Sequence, residues 1–187
     1  MATPTPKSER RPSSRRQLAA LVALVVAAAA FLAWRRGLSA GLPAATYLVA
    51  IGTALAMVDR ATRRLPNPIV LGSYPIEAAL LALASSTEGT WEPLGRAGIG
   101  AVALGGFFLA IALGLPGQLG MGDVKLAGLY GMGLAWWGWP TLATGVLAAW
   151  VLAALYALAR GVVGRRGTLA FAPFLLAGAL LALGSPR

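Results

Sequence analysis

The sequence predicts an all-α integral membrane protein, a polytopic bundle of about seven transmembrane helices. Three observations carry that reading. Of 187 residues, 58% are apolar and 12% are charged, about half the charged fraction of a soluble domain. Mean hydropathy is +0.72. The apolar residues gather into seven runs, none alternating polar and apolar at period two, so a β-barrel is disfavoured. Backbone groups in lipid must bond within their own segment, which makes the runs helices.

The elements follow in order. Residues 1–17 (MATPTPKSERRPSSRRQ) are basic and rich in Pro and Ser. They hold too little apolar surface for a core and read as a disordered cytoplasmic tail. Leu18–Trp34 is the first apolar run. It ends in Trp34-Arg35-Arg36 without a small-residue cleavage pattern, so residues 18–37 read as a retained anchor helix, not a signal peptide. Six further runs follow: Leu38–Val58, Asn67–Ala84, Ala97–Leu115, Leu126–Trp139, Thr141–Ala159 and Leu169–Leu183. Most approach the roughly 20 residues that a span requires. Residues 38–187 therefore read as a six-span core.

The residue inventory removes whole chemistries. There is no Cys and no His, which excludes disulfides, thiol nucleophiles, Cys- or His-type metal sites and Ser-His arrangements. Six carboxylates remain, and only Asp59 and Asp123 are aspartates. The formal charge of +10 comes mostly from arginines in short clusters between apolar runs. That placement describes a chain oriented in a membrane, with the lipid bilayer and not nucleic acid as partner.

Charge placement also gives an orientation. With seven spans and a cytoplasmic N-terminus, twelve of the 16 Lys and Arg residues fall inside, as the positive-inside rule requires. Arg35, Arg36, Arg96 and Arg187 fall outside, with Glu88 and Glu92 in an outer loop and Trp136, Trp137 and Trp139 at the outer end of the fifth span. Both aspartates then lie on the cytoplasmic side. Extending the fifth run to residues 121–140 sinks Asp123 into the bilayer edge, where an ionisable group is costly.

Asp59 closes the second span and Asp123 opens the fifth, in Gly120-Met121-Gly122-Asp123. A carboxylate pair is one of the few ways this inventory could cleave a peptide bond: one takes a proton from water and the other donates to the carbonyl. Helix dipoles favour charge on Asp123 and disfavour it on Asp59, while Arg60, Arg63 and Arg64 act the other way on Asp59. The bare backbone at Gly120 and Gly122 would let a substrate strand approach Asp123, or would serve only as a flexible turn. For each aspartate alone, a helix cap or an interfacial ion pair is an equal alternative.

Here the chain resembles the type IV prepilin peptidases, GxGD-type intramembrane aspartic proteases. Asp59-x6-Pro66, with Leu65-Pro66-Asn67, is similar to the first catalytic motif of that family. Gly120-Met121-Gly122-Asp123-Val124-Lys125-Leu126 is similar to the second, and Phe171-Ala172-Pro173-Phe174 to a pattern in the last span. The resemblance implies Asp59 and Asp123 as the catalytic pair. It also implies a prepilin or pseudopilin precursor as substrate, cut after its short basic leader at the cytoplasmic face of the inner membrane, with no metal and no cofactor. Longer members carry a cysteine-containing insert after the first span that is associated with N-methylation. Here only Arg35–Gly37 separates the first two runs, so the resemblance is to a short form in which methyl transfer is in doubt.

Other residues complete the expectations. Lys125 orients substrate or Asp59, or anchors at the interface by snorkelling. Pro66 and Pro68 end one helix and shape the loop that aims Asp59. Pro173 is expected to kink the last helix. Gly100 and Gly105-Gly106 read as close packing. Glu77, deep in the third run, reads as a polar contact inside the bundle or part of a proton path. Two rival functions stay open: a small transporter or ion relay using Asp59, Asp123 and Glu77, and a non-catalytic pilus or secretion assembly factor.

Overall fold

The computed structural model describes residues 14–62, 65–115, 119–162 and 171–185. These form seven helices: α1 (Ser14–Arg36), α2 (Leu42–Thr62), α3 (Asn67–Glu88), α4 (Glu92–Gly114), α5 (Met121–Trp137), α6 (Trp139–Val162) and α7 (Ala172–Gly184). No strand occurs among the described residues. The polytopic helical membrane protein read from the sequence is the fold found. α2, α3, α4 and α6 are each long and apolar enough to cross a membrane, whereas α7 is a shorter apolar helix. α1 begins at Ser14, so its helix enters the stretch read as a tail. Residues 1–13 of that stretch, Arg63, Arg64, Arg165, Arg166, Leu169 and Arg187 lie outside the described residues.

α5 is the central helix. Every residue from Leu126 to Trp136 is buried, and α2, α3, α4, α6 and α7 all pack against it. A helix apolar on all sides suits either such an enclosure or a lipid-facing span. Glycines make the enclosure tight. A Cβ on Gly100 of α4 would overlap the Gly131 carbonyl of α5, and one on Gly105 would fall 3.4 Å from the Gly128 Cα. α6 and α7 meet in the same manner through Gly145 and Gly178. Gly106, by contrast, faces open space. In lipid, where apolar burial drives little association, backbone proximity of this kind is the main source of helix packing.

The bundle has two distinct ends. One collects five of the six tryptophans, all but Trp150, and the C-termini of α1, α3, α5 and α7. There the Arg96 guanidinium donates to the Ala135 carbonyl at 2.6 Å and the Trp136 carbonyl at 2.7 Å. Arg35 donates to the Gly184 carbonyl at 2.5 Å, and Arg36 to Leu183 at 2.6 Å and Ala182 at 2.9 Å. These arginines add donors to the carbonyls that end α5 and α7, of which Ala135 and Ala182 also accept the N–H of Gly138 and Ser185. Arg36 also stacks over Trp137, and Trp136 Nε1 donates to Ser85 at 3.0 Å. α1 is thereby tied to α7, and it also packs on α2.

The other end holds the C-termini of α2, α4 and α6 and the N-termini of α3, α5 and α7. Phe171 precedes α7 and is buried. Its ring lies 5.5 Å from Phe108 of α4 and 5.3 Å from Trp150 of α6, an aromatic cluster that pins the start of α7. Pro173 stands in the first turn of α7. The expected kink is absent because a proline there removes only an N–H that has no intrahelical acceptor. Pro66 and Pro68 have a similar place at the start of α3, as N-cap and first-turn residue.

Candidate active site

Both aspartates stand at this second end. Asp59 is three residues before the end of α2 and 6% exposed. Asp123 lies in the first turn of α5 and is half-buried. The two carboxyls, 64 positions apart in sequence, are close enough to interact electrostatically. Sequence position alone could put them at the same face; the folded chain brings them together.

The start of α5 fixes the Asp123 side chain. Gly120 is the N-cap, with φ −77° and ψ 145°. Its carbonyl accepts the Asp123 N–H at 3.0 Å, and its own N–H donates back to the Asp123 carboxyl. This is the returning half of a capping box, with Asp at the third helical position. A Cβ on Gly120 would fall 3.5 Å from Asp123 Oδ2, in ordinary contact. Gly120 is exposed, so the bare backbone lies beside the carboxyl at the surface.

The connection from α2 to α3 clasps the same turn. A Cβ on Gly122 would fall 2.8 Å from Leu65 Cβ, too close for any other residue without movement. The bare face of Gly122 is thus occupied by Leu65 of the same chain. Lys125 Nζ donates to Asn67 Oδ1 at 2.9 Å, and the Tyr74 hydroxyl donates to the Lys125 carbonyl at 2.6 Å. Leu65-Pro66-Asn67 and Gly120–Lys125, read separately from the sequence, form one unit. The clasp ties the start of α3 to the first turn of α5.

Of the residues singled out from sequence, Asp123, Gly120, Gly122, Lys125 and Pro66 lie in this unit, and Asp59 lies close enough to Asp123 to interact with it electrostatically. Glu77 does not. It is fully buried in α3, against Gly133 in the second half of α5. Leu65, Tyr74 and Asn67 were missed as partners of the GxGD turn. Asn67 follows Pro66 directly and carried some signal; Tyr74, two helical turns further on, carried none. Among the described residues no group of three or more His, Cys, Asp or Glu side chains could hold a metal ion.

A half-buried and a buried carboxyl near enough to feel each other's charge are chemically capable of sharing a proton. No curated protein and no solved structure matches this chain. The family model of the type IV leader peptidases matches residues 46–158, more than half of the chain and a span that contains both aspartates. With its apolar helices and this match, the chain is a membrane protease that belongs to the type IV leader peptidase family.

Proposed function

We propose that the chain is an aspartic endopeptidase that removes the short basic leader from prepilin-like or pseudopilin-like precursors at the cytoplasmic face of the inner membrane, with Asp59 and Asp123 as its catalytic pair. The observation that carries this is the meeting of the only two aspartates at one end of the bundle, beneath a glycine-bearing turn.

Their surroundings suggest different roles. Burial and the neighbouring Asp59 charge act against ionisation of Asp123, while its place at a helix N-terminus and the backbone hydrogen bond from Gly120 favour it. Asp59 is more deeply buried, near a helix C-terminus. The Asp123 carboxylate takes a proton from water as the water oxygen attacks the scissile carbonyl. The Asp59 carboxylic acid gives its proton to the carbonyl oxygen, and a gem-diol forms. Asp123 then returns its proton to the amide nitrogen, the C–N bond breaks, and one hydroxyl proton of the diol restores Asp59. The cycle uses neither metal nor cofactor. Gly120 leaves room for an extended substrate strand beside Asp123, and Lys125, Gly122 and Pro66 shape the turn.

The orientation draws support from the arginines. Arg35, Arg36 and Arg96 lie at the tryptophan end, and each closes helix carbonyls there. Their place has a structural reason, so the excess of basic residues that the sequence pattern assigns to the side of the aspartates weighs the more toward a cytoplasmic site. α5 has 17 residues, about 25 Å, short of the roughly 30 Å hydrocarbon core. A site at its N-terminus falls at the bilayer edge, where a leader joins an apolar helix.

Co-expression with a prepilin-like precursor tests the proposal. Asp59→Asn and Asp123→Asn each abolish cleavage at unchanged protein level. Cleavage surviving either change removes the pair from catalysis, and loss of a cation or proton flux without any proteolysis would point to transport.

A further inference from the structure

Two helical turns inside the aspartate end, α2 and α5 touch through residues that the proteolytic cycle leaves unused. Gly52 precedes Asp59 by seven positions, and Tyr130 follows Asp123 by seven. Seven residues make close to two turns, about 10 Å. On each helix the residue therefore shares a face with its aspartate. A Cβ on Gly52 would overlap the Tyr130 hydroxyl and fall 3.1 Å from Tyr130 Cζ and 3.3 Å from Leu176 Cδ1 of α7. Tyr130 is fully buried. Its tip fills the notch that Gly52 leaves, and Leu176 closes the notch from α7.

α3 supports the ring from another direction. Glu77 is fully buried, and a Cβ on Gly133, one turn beyond Tyr130, would fall 2.8 Å from Glu77 Oε1. The carboxyl is close enough to the phenol to interact with it electrostatically. Neither the Tyr130 hydroxyl nor either Glu77 oxygen has a hydrogen-bond partner among the described residues. Buried polar atoms left in that state are rare and costly. A phenylalanine and an aliphatic side chain would fill most of the same space without that cost, so packing alone does not account for them.

We propose that the Gly52–Tyr130 contact, backed by Glu77, is a positioning device that sets the separation of Asp59 and Asp123. The inference rests on the reading of those two residues as the catalytic pair. α2 and α5 are not consecutive, so their spacing is set by packing and not by a short loop. The hydroxyl tip against bare backbone fixes how closely the two helices approach two turns from the carboxyls. A change of one atom at that depth carries to the helix ends, and misplacement of reacting groups by about 1 Å costs on the order of a hundredfold in rate.

The test uses the full chain in membranes, with cleavage of a prepilin-like substrate as one readout. Gly52→Ala lowers kcat on the order of a hundredfold and leaves KM within about twofold, as expected for a fault in the reacting geometry. Adding Tyr130→Phe removes the oxygen that the new methyl group strikes. The double variant Gly52→Ala/Tyr130→Phe recovers to within about fivefold of the parent. Tyr130→Phe alone, which empties the notch, lowers kcat by about three- to tenfold at unchanged abundance, so the proposal stays testable even if Gly52→Ala fails to fold.

The second readout does not depend on catalysis. The chain has no cysteine, so Asp59→Cys/Asp123→Cys gives a clean pair for oxidative cross-linking. Cross-linking is rapid in the parent background, slowed by Gly52→Ala and restored by the further Tyr130→Phe change. A double variant as impaired as Gly52→Ala, or cross-linking and kcat both indifferent to Tyr130→Phe, overturns the proposal. Cleavage that survives Asp59→Asn would instead remove the catalytic reading, while the cross-linking series still decides whether the device exists.

Discussion

At the tryptophan end, the C-termini of α5 and α7 are closed by guanidinium groups from α4 and α1, and an indole N–H meets a serine hydroxyl. At the aspartate end, a carboxyl in the first turn of α5 accepts a glycine N–H, a second carboxyl is close enough to interact with it electrostatically, and exposed glycine backbone stands alongside. The two ends show how one bundle separates stability from reactivity. Long basic side chains satisfy carbonyls where nothing must enter. Where the proposed substrate would enter, the chain uses glycine and two acidic groups within electrostatic reach of each other, an arrangement with a standing electrostatic cost. Substitutions at one end should therefore change stability, and at the other, chemistry.

The largest effect tests the chemical end. Asp59→Asn and Asp123→Asn each lower the cleavage rate by about a thousandfold or more, the range lost with a general acid or base, while the thermal midpoint in detergent holds or rises as the carboxyl repulsion is removed. Next is the clasp. Gly122→Val drives a side chain into Leu65, whose Cβ is 2.8 Å from the position of the first added atom. Overpacking of this kind costs about 1–3 kcal/mol. Because the strain falls between the α2–α3 connection and the first turn of α5, activity should fall by more than stability does.

The opposite result is expected at the tryptophan end. Arg96→Met removes two charge-assisted bonds to the last carbonyls of α5 and costs about 1–3 kcal/mol. It should lower the thermal midpoint while kcat at a permissive temperature stays within about twofold of the parent. A large kcat loss with unchanged stability would erase the distinction between the ends. The smallest effect is Lys125→Met. It removes one exposed hydrogen bond to Asn67, worth about 1 kcal/mol, and should reduce cleavage a few-fold by loosening the clasp.

The sequence was informative about the two ends and poor about the contacts between them. Seven apolar runs yielded seven helices, since backbone satisfaction in lipid leaves little choice. Asp59 and Asp123 were legible as a pair because the charge pattern placed both on one face and no other aspartate competes with them. Leu65 against Gly122 was not legible. A glycine before a helix reads equally as a flexible turn, and only the folded chain shows which side chain fills it. The arginine caps were hidden for a related reason. Arg35, Arg36 and Arg96 read as topology signals, yet their acceptors lie 39 to 149 positions away. Pro173 misled by its type: the rule for a proline inside a helix does not apply in the first turn. The Gly52–Tyr130 notch has no local signature, because it joins two unremarkable residues on separate helices.

The proposed catalysis depends on the aspartates meeting in the resting protein. Oxidative cross-linking of Asp59→Cys/Asp123→Cys in native membranes, with no substrate present, measures that meeting directly. Rapid intramolecular disulfide formation at those two positions, and none when the partner cysteine is placed at the tryptophan end of α5, is the result expected. Failure to cross-link, in protein that is folded and accumulates normally, would mean that the carboxyls do not converge and that the active site lies elsewhere.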